Sequence, residues 1–186
     1  MADELDAGLP ESVERLLAKL DQLKEQVARQ LVDAWQADEG TIFTTDLVAL
    51  AVARRTYALI DGFGVLVRAR NILCCGALLR LQLDTAMRFY ACWLVDKPEQ
   101  IALALLEDRH LNTMKARDGN QLRDAYLYEQ LSMQYGDWVS RVYKNTSEFV
   151  HFTGRAMLDA RTDHDVVTGR ESVSLQGPGR VWTKPR

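Results

Sequence analysis

The sequence predicts an all-α protein, a bundle of about five to six helices. Apolar residues recur at steps of three and four over long stretches before residue 159, which is the spacing of one helical face. No segment alternates strand with helix and no Gly-rich loop joins the two, which excludes phosphate-loop and dinucleotide-binding folds. With 186 residues, 47% of them hydrophobic, the chain is long enough for one domain with a full core.

The first helix is predicted to begin near Pro10 and to stop at Gly40. Its stretch PESVERLLAKLDQLKEQVARQLVDAW carries a single apolar stripe at alternating steps of three and four. The stripe consists of Val13, Leu16, Leu20, Leu23, Val27 and Leu31. Such a stripe indicates a helix that packs on the bundle or, alternatively, the seam of a dimerising coiled coil.

The second helix is predicted to begin at the stretch TTD, with Thr45 or Asp46 as its cap, and to run to about Arg70. Two glycines, Gly62 and Gly64, lie in its second half. Glycine weakens a helix and leaves room beside the backbone, so these positions favour a kink or the close approach of another helix.

The third predicted helix spans about residues 71–95 and is the most apolar segment of the chain. The stretch DKPE then separates it from a fourth helix, because Asp96 can cap and Pro98 fits a first helical turn. That fourth helix is expected to run to about Lys115 and to stop before a turn at Asp118-Gly119.

Two further helical stretches, QLRDAYLYEQLSMQY and DWVSRVYKNTSEFVHFTGRAML, are separated by Gly136. A single helical-bundle domain is therefore expected over residues 1–158. The tail, residues 159–186, changes character, since VVTGRESVSL alternates like a strand and GPGRVWTKPR cannot be helical. We expect the tail to form a short β-hairpin or an irregular end.

Composition and charge narrow the functional classes. The three cysteines, Cys74, Cys75 and Cys92, lie in apolar stretches without C-x-x-C spacing, so we expect all three in the core and in a reducing compartment. The acidic opening MADELDAGLPESVERLL is unlike a secretory signal, and no run of 18 apolar residues occurs. A cytoplasmic protein without a membrane span is predicted, and no metal or cofactor site is predicted.

The charge is unevenly distributed along the chain. Residues 1–40 contain ten acidic and four basic residues, whereas residues 109–186 contain twelve basic and nine acidic residues. A mildly basic C-terminal half is compatible with a polyanionic partner. It lacks the dense basic footprint of a strong nucleic-acid binder.

Two polar stripes, each at four-residue spacing, interrupt the apolar helices. The stripe on the third helix consists of Arg80, Asp84 and Arg88. The stripe on the last helix consists of Tyr143, Ser147 and His151. Because an unpaired buried charge is costly, we expect the stripes to meet, with Asp84 buried and bonded to a side chain of each stripe. The pair indicates either a polar cluster that fixes helix register or a site in which Asp84 tunes His151.

The same residues carry a resemblance to a known group of proteins. The stretch LLRLQLDTAMRFYACWLVDKPE, followed later by a Y-x-x-x-S-x-x-x-H helix, resembles an uncharacterised bacterial family of helical proteins that is similar to HEPN (higher eukaryotes and prokaryotes nucleotide-binding) domains. The resemblance covers about residues 45–155. It implies a helical bundle, often a homodimer, of the kind found in toxin–antitoxin, abortive-infection and RNA-cleaving systems.

The resemblance also implies site residues. RNase-active HEPN domains resemble one another in an Arg-x(4–6)-His motif, often with a polar residue after the arginine. The nearest match here is Lys144, Asn145 and His151, in which lysine, a point charge, replaces the planar fork of arginine. The implied function is a metal-independent endoribonuclease or RNA-binding component with a cognate antitoxin or defence partner. The alternative is a non-catalytic regulatory or scaffold module that binds a protein partner.

Overall fold

The computed structural model describes residues 9–37, 39–150, 161–165 and 170–173. In these residues it contains six α-helices, namely α1 (Glu11–Ala37), α2 (Thr44–Arg68), α3 (Ile72–Leu94), α4 (Pro98–Leu106), α5 (Asp124–Tyr135) and α6 (Trp138–Val150). Helix α3 is central, because it packs against α2, α4, α5 and α6. The predicted all-α bundle is confirmed.

Two short strands follow the helices and pair antiparallel, namely β1 (Arg161–Asp165) and β2 (Arg170–Val173). They lie in the tail for which the sequence predicts a hairpin or an irregular end. Residues 170–173 of the alternating stretch VVTGRESVSL form β2, whereas β1 lies before that stretch. The expected domain boundary at residue 158 lies outside the described residues.

Helix α1 is attached to α2 by a narrower stripe than the sequence indicates. Leu17 is its buried residue, whereas Leu16 and Leu23, which belong to the predicted stripe, are 59% and 46% exposed. Polar contacts supplement the packing, because the Arg68 guanidinium lies 2.9 Å from a carboxylate oxygen of Glu14. Much of the apolar face of α1 is therefore open to solvent.

The first turns of α2 and α3 are held by side chains. The carboxylate of Asp46 accepts a hydrogen bond of 2.7 Å from the backbone N–H of Phe43, so Asp46 acts from the third position of the helix. At α3, the side-chain oxygen of Asn71 accepts from the N–H of Cys74 at 3.1 Å. The N-cap residue of α2 is Phe43, so the prediction that Thr45 or Asp46 is the cap is wrong, although Asp46 supplies the side-chain bond of the first turn.

Gly62 provides the close approach that the sequence allows. A Cβ atom built at this position would lie 3.3 Å from the Cδ1 atom of Leu78 on α3, tighter than ordinary van der Waals contact. Helix α2 continues through both glycines to Arg68 without interruption. The absence of a side chain at Gly62 thus sets how near α3 lies to α2.

Helices α1, α2 and α4 end with a residue in the left-handed conformation that is not glycine. These residues are Glu39, Arg70 and Asp108, with φ between 53° and 55°. At α4 the N–H of Arg109 donates to the carbonyl of Ala104 at 2.8 Å and the N–H of Asp108 donates to that of Leu105 at 3.3 Å. This pair of bonds is a Schellman motif, which satisfies the last carbonyls of a helix.

Helix α4 begins at Pro98 as predicted, but its N-cap residue and its last residue differ from the prediction. Its N-cap residue is Lys97, because the carboxylate of Asp96 instead accepts from the Arg117 guanidinium at 2.8 Å. Its end lies at Leu106 and not near Lys115, so the predicted length is wrong. The left-handed residue that ends the helix is an aspartate, and the sequence therefore lacks the usual glycine signal.

The connection between α4 and α5, residues 107–123, folds onto the C-terminal end of α3. The N–H of Arg117 donates to the carbonyl of Leu94 at 2.8 Å, and its guanidinium donates to the carbonyl of Val95 at 2.9 Å. The predicted turn at Asp118-Gly119 is present, and Gly119 has a φ of 87°. The connection therefore supplies partners for carbonyls that a helix end leaves unpaired.

The core lies between the second half of α3, helices α4 to α6 and the 107–123 connection. Its largest fully buried side chains are Met87, Ile101, Leu122, Leu127 and Val139. These residues belong to one cluster of buried side chains that also includes Val48 of α2, so the core joins five helices, α2 to α6, and the connection into one unit.

The cysteines divide between the core and the surface. Cys75 and Cys92 are buried as predicted, and burial raises the pKa of both thiols. The prediction for Cys74 is wrong, because this residue is exposed. Neighbouring residues of a helix point about 100° apart, so Cys74 and Cys75 cannot share the buried face.

In the part of the chain that the structure describes, no helix combines the length and the apolar character needed to cross a membrane.

Candidate functional site

The candidate site lies where α6 runs back along α3. Tyr135, just before α6, packs edge-on against Tyr90, with ring centroids 6.1 Å apart. Further along α6, Tyr143 lies against Arg80, which is ten residues earlier on α3 than Tyr90. The two helices are therefore antiparallel, and the last turns of α6 lie towards the beginning of α3.

Arg80 and two tyrosines form a stack at the centre of this helix pair. The guanidinium carbon of Arg80 lies 3.9 Å from the centroid of the Tyr143 ring. The Tyr143 ring also stacks on Tyr128 of α5, with 4.3 Å between centroids and 21° between planes. A cation over an aromatic face is stabilised by the ring quadrupole, and more so where water is excluded. The two predicted stripes thus meet, but at Arg80 and Tyr143.

The guanidinium of Arg80 is incompletely satisfied. Its Nη1 atom is buried and has no hydrogen-bond partner. The expected local pairing of Arg80 with Asp84 is not among the ion pairs of the described residues. A buried donor without an acceptor is costly, so Arg80 is held in place chiefly by its aromatic contact.

Asp84 contradicts the prediction that it is buried against α6. Its side chain is 37% exposed, and its partner is Arg88 at 3.3 Å. Arg88 in turn lies 2.6 Å from the carboxylate of Asp124, in the first turn of α5. The prediction fails because residues four apart on a helix are rotated by about 40°, so the stripe drifts around α3. Arg80 consequently faces α6, whereas Arg88 reaches α5.

Ser147 serves its own helix. Its hydroxyl donates to the backbone carbonyl of Tyr143 at 2.7 Å, four residues earlier. Thr146 makes the same kind of bond to the carbonyl of Val142 at 2.6 Å and is buried. Because the Ser147 hydroxyl donates its proton within α6, this hydroxyl does not donate to Asp84 as predicted.

Two of the three predicted catalytic residues lie on the surface of α6. Lys144 and Asn145 directly follow Tyr143, and both are exposed. The third, His151, lies outside the described residues. The stack of Arg80 on Tyr143 therefore fixes the helix that carries Lys144 and Asn145, and leaves these two side chains accessible.

Sequence reasoning missed an apolar groove of about 660 Å³ between α3 and the α5–α6 corner. Its most exposed aromatic residues are Trp93, Tyr135 and Trp138, which are 61%, 57% and 52% exposed. On α3 the groove is lined by Leu79, Gln82, Leu83, Ala86, Phe89, Tyr90 and Trp93, of which Leu79 and Trp93 are exposed. The heptad spacing of Leu79, Ala86 and Trp93 is a signal that could have located the groove.

In the described residues no three or more His, Cys, Asp or Glu side chains come together as a metal site. No family model, no curated protein and no solved structure matches this chain.

Proposed function

We propose that this chain is a HEPN-like component of a bacterial toxin–antitoxin or phage-defence system that acts on RNA. The observation that carries the proposal is the exposure of Lys144 and Asn145 on a helix held by the Arg80–Tyr143–Tyr128 stack. A cation and an amide on one rigid helix can engage phosphate oxygens, the first by charge and the second by hydrogen bonds.

The proposed reaction is metal-independent cleavage of RNA. His151 removes the proton of a 2′-hydroxyl, and the resulting oxygen attacks the adjacent phosphorus. The bond from phosphorus to the 5′-oxygen then breaks, and that oxygen takes up a proton, leaving a 2′,3′-cyclic phosphate and a 5′-hydroxyl. Lys144 offsets the negative charge that develops on the phosphorane, and Asn145 orients the phosphate.

The test combines growth after induced expression with cleavage of single-stranded RNA by purified protein in the presence of a metal chelator. Wild-type protein should arrest growth and cleave RNA, and His151→Ala should lower the cleavage rate by about 100-fold or more. Lys19→Ala, which removes an exposed lysine of α1, is the charge-matched control for Lys144→Ala and should retain activity.

Lys144→Arg sharpens the test, because arginine can grip a phosphate with two parallel hydrogen bonds. This variant should cleave RNA at least as fast as the wild type. A correctly folded wild-type protein that leaves both RNA and growth intact would rule out the ribonuclease.

A second candidate function is a non-catalytic helical regulatory or scaffold module that binds a protein partner. The observation that favours it is the apolar groove, whose aromatic rings are exposed to solvent. Large exposed apolar patches on a protein mark interaction sites or ligand-binding grooves. Folded protein that is inert towards RNA, but that loses its biological effect after substitution of Trp93, would support this function.

A further inference from the structure

Helices α2, α3 and α4 enclose a separate cavity of about 310 Å³. Its walls are mostly apolar, and they include Leu47, Val48 and Val52 of α2, Phe89 of α3 and Leu105 of α4. Apolar clefts with a few polar groups are the usual binding sites of small molecules. Because one water molecule takes up about 30 Å³ in the liquid, the cavity has room for roughly ten non-hydrogen atoms.

A positioned arginine lines this cavity. Arg55 of α2 donates from its Nε atom to the hydroxyl of Thr85 on α3 at 2.9 Å. That hydroxyl is itself fixed, because Thr85 is buried and its Oγ1 atom donates to the carbonyl of Leu81 at 2.8 Å. The bond to Thr85 holds one edge of the guanidinium and leaves its Nη groups without a partner in the described residues.

The charges of the lining favour a ligand with a single negative charge. Asp84 and Arg88 also line the cavity, and they pair with each other at 3.3 Å, while Arg88 lies 2.6 Å from Asp124 as well. Arg55 belongs to no ion pair of the described residues, so its charge is the one left to balance. A ligand with two negative charges would place the second one near Asp84 without a further cation.

From these contacts we infer that the cavity binds a small monocarboxylate with an apolar chain. The carboxylate accepts hydrogen bonds from the Nη groups of Arg55, whose planar fork matches two carboxylate oxygens, and the apolar chain lies among α2, α3 and α4. Thr85 has a positioning role, because it fixes the orientation of the guanidinium. The inference does not depend on the proposed function, since it involves neither Lys144 and Asn145 nor His151.

The experiment is a calorimetric titration of the full chain with octanoate, whose non-hydrogen atoms match the room in the cavity. The wild type should bind octanoate with a Kd below about 1 mM. Octanamide, which has the same chain and a neutral head, should bind about 10-fold more weakly or worse. Arg55→Gln should weaken octanoate binding by about 10-fold or more and change octanamide binding by less than about 3-fold, since it removes the charge and keeps the apolar walls.

Arg54→Gln is the matched control, because Arg54 is the neighbouring exposed arginine of α2 and does not line the cavity. It should bind octanoate as the wild type does. Ala51→Trp replaces an exposed residue of the cavity wall with a side chain that fills the space, so it should abolish the binding of both ligands. Circular dichroism checks that every variant is folded.

Three results would overturn the inference. Octanoate binding that survives Arg55→Gln, or that Arg54→Gln weakens equally, would show that Arg55 does not hold the carboxylate. Octanoate binding that survives Ala51→Trp would place the ligand outside this cavity. A wild type that binds no octanoate up to about 10 mM would leave the cavity for an apolar side chain of a partner protein.

Discussion

Helix α1 has 27 residues and is the longest helix in the described part of the chain, whereas the 107–123 connection contains a single 3₁₀ turn, Leu111–Thr113. Yet α1 buries only Leu17, and the connection buries Leu111, Ala116 and Leu122. Regular secondary structure satisfies the backbone of α1 locally, but most folding free energy comes from apolar area removed from water. The irregular connection should therefore be the more firmly held of the two.

The largest effect should come from the core side of the connection. Leu122 is completely buried, so Leu122→Ala should lower the free energy of unfolding by about 2–5 kcal/mol. Leu23→Ala on α1 should change it by no more than about 0.5 kcal/mol, since that side chain is 46% exposed. Chemical denaturation of both variants measures the difference. Equal losses would contradict the comparison.

Alkaline pH should lower the free energy of unfolding through Tyr126 of α5, which packs on the core. Burial, aided by the hydrogen bond from its hydroxyl to Asp118, raises the pKa of Tyr126 to about 12. In the unfolded chain the phenol titrates near pH 10, so its contribution to stability is complete below pH 10 and is lost as pH rises towards 12. Tyr126→Phe should reduce the stability loss between pH 9 and pH 11.5, as measured by urea unfolding at both values. An unchanged loss would show that Tyr126 does not titrate in this way.

A smaller effect, of opposite sign, is expected at the end of α4. Asp108 has a φ of 53°, a conformation that glycine adopts without steric cost. Asp108→Gly should therefore raise the free energy of unfolding by about 0.5–1 kcal/mol. Glu107→Gly is the control, since Glu107 has a φ of −90° and should lose stability. Thermal melts compare the two, and a destabilised Asp108→Gly would refute the argument.

A small effect is also expected from Asp84→Ala, although this residue lies on the central helix α3. Its carboxylate is partly exposed and pairs only with Arg88 among the described ion pairs, so the expected loss is below about 1 kcal/mol. Asp84→Asn should behave alike in the same denaturation experiment. A loss above about 3 kcal/mol for alanine would instead mean that Asp84 is buried and paired.

The helices could be predicted because their information is local. The stripe of α1, the start of α4 at Pro98 and the break at Gly136 are each readable within a few residues of sequence. The early end of α4 could not be read in this way, because Asp108 occupies a position that usually holds glycine.

The site was less predictable than the fold, since its contacts join distant residues. Four-residue spacing correctly brought the two stripes together, but it could not tell which member of each stripe would touch. That choice depends on the rotation of α3 against α5 and α6, which tertiary packing decides. The exposed side of α3 was missed for the same reason, because an apolar residue looks alike in sequence whether or not another helix covers it.

The bonds of Arg117 to the end of α3 have a consequence for the order of folding. The carbonyls of Leu94 and Val95 become a fixed acceptor pair only after α3 has formed, and the guanidinium bond spans 22 residues. Before α3 forms, Arg117 has no fixed acceptors to bind. Closing the loop between Val95 and Arg117 costs chain entropy, and the bonds to these carbonyls offset that cost only once α3 is in place. We expect α3 to be structured in the folding transition state and the 107–123 connection to consolidate after it.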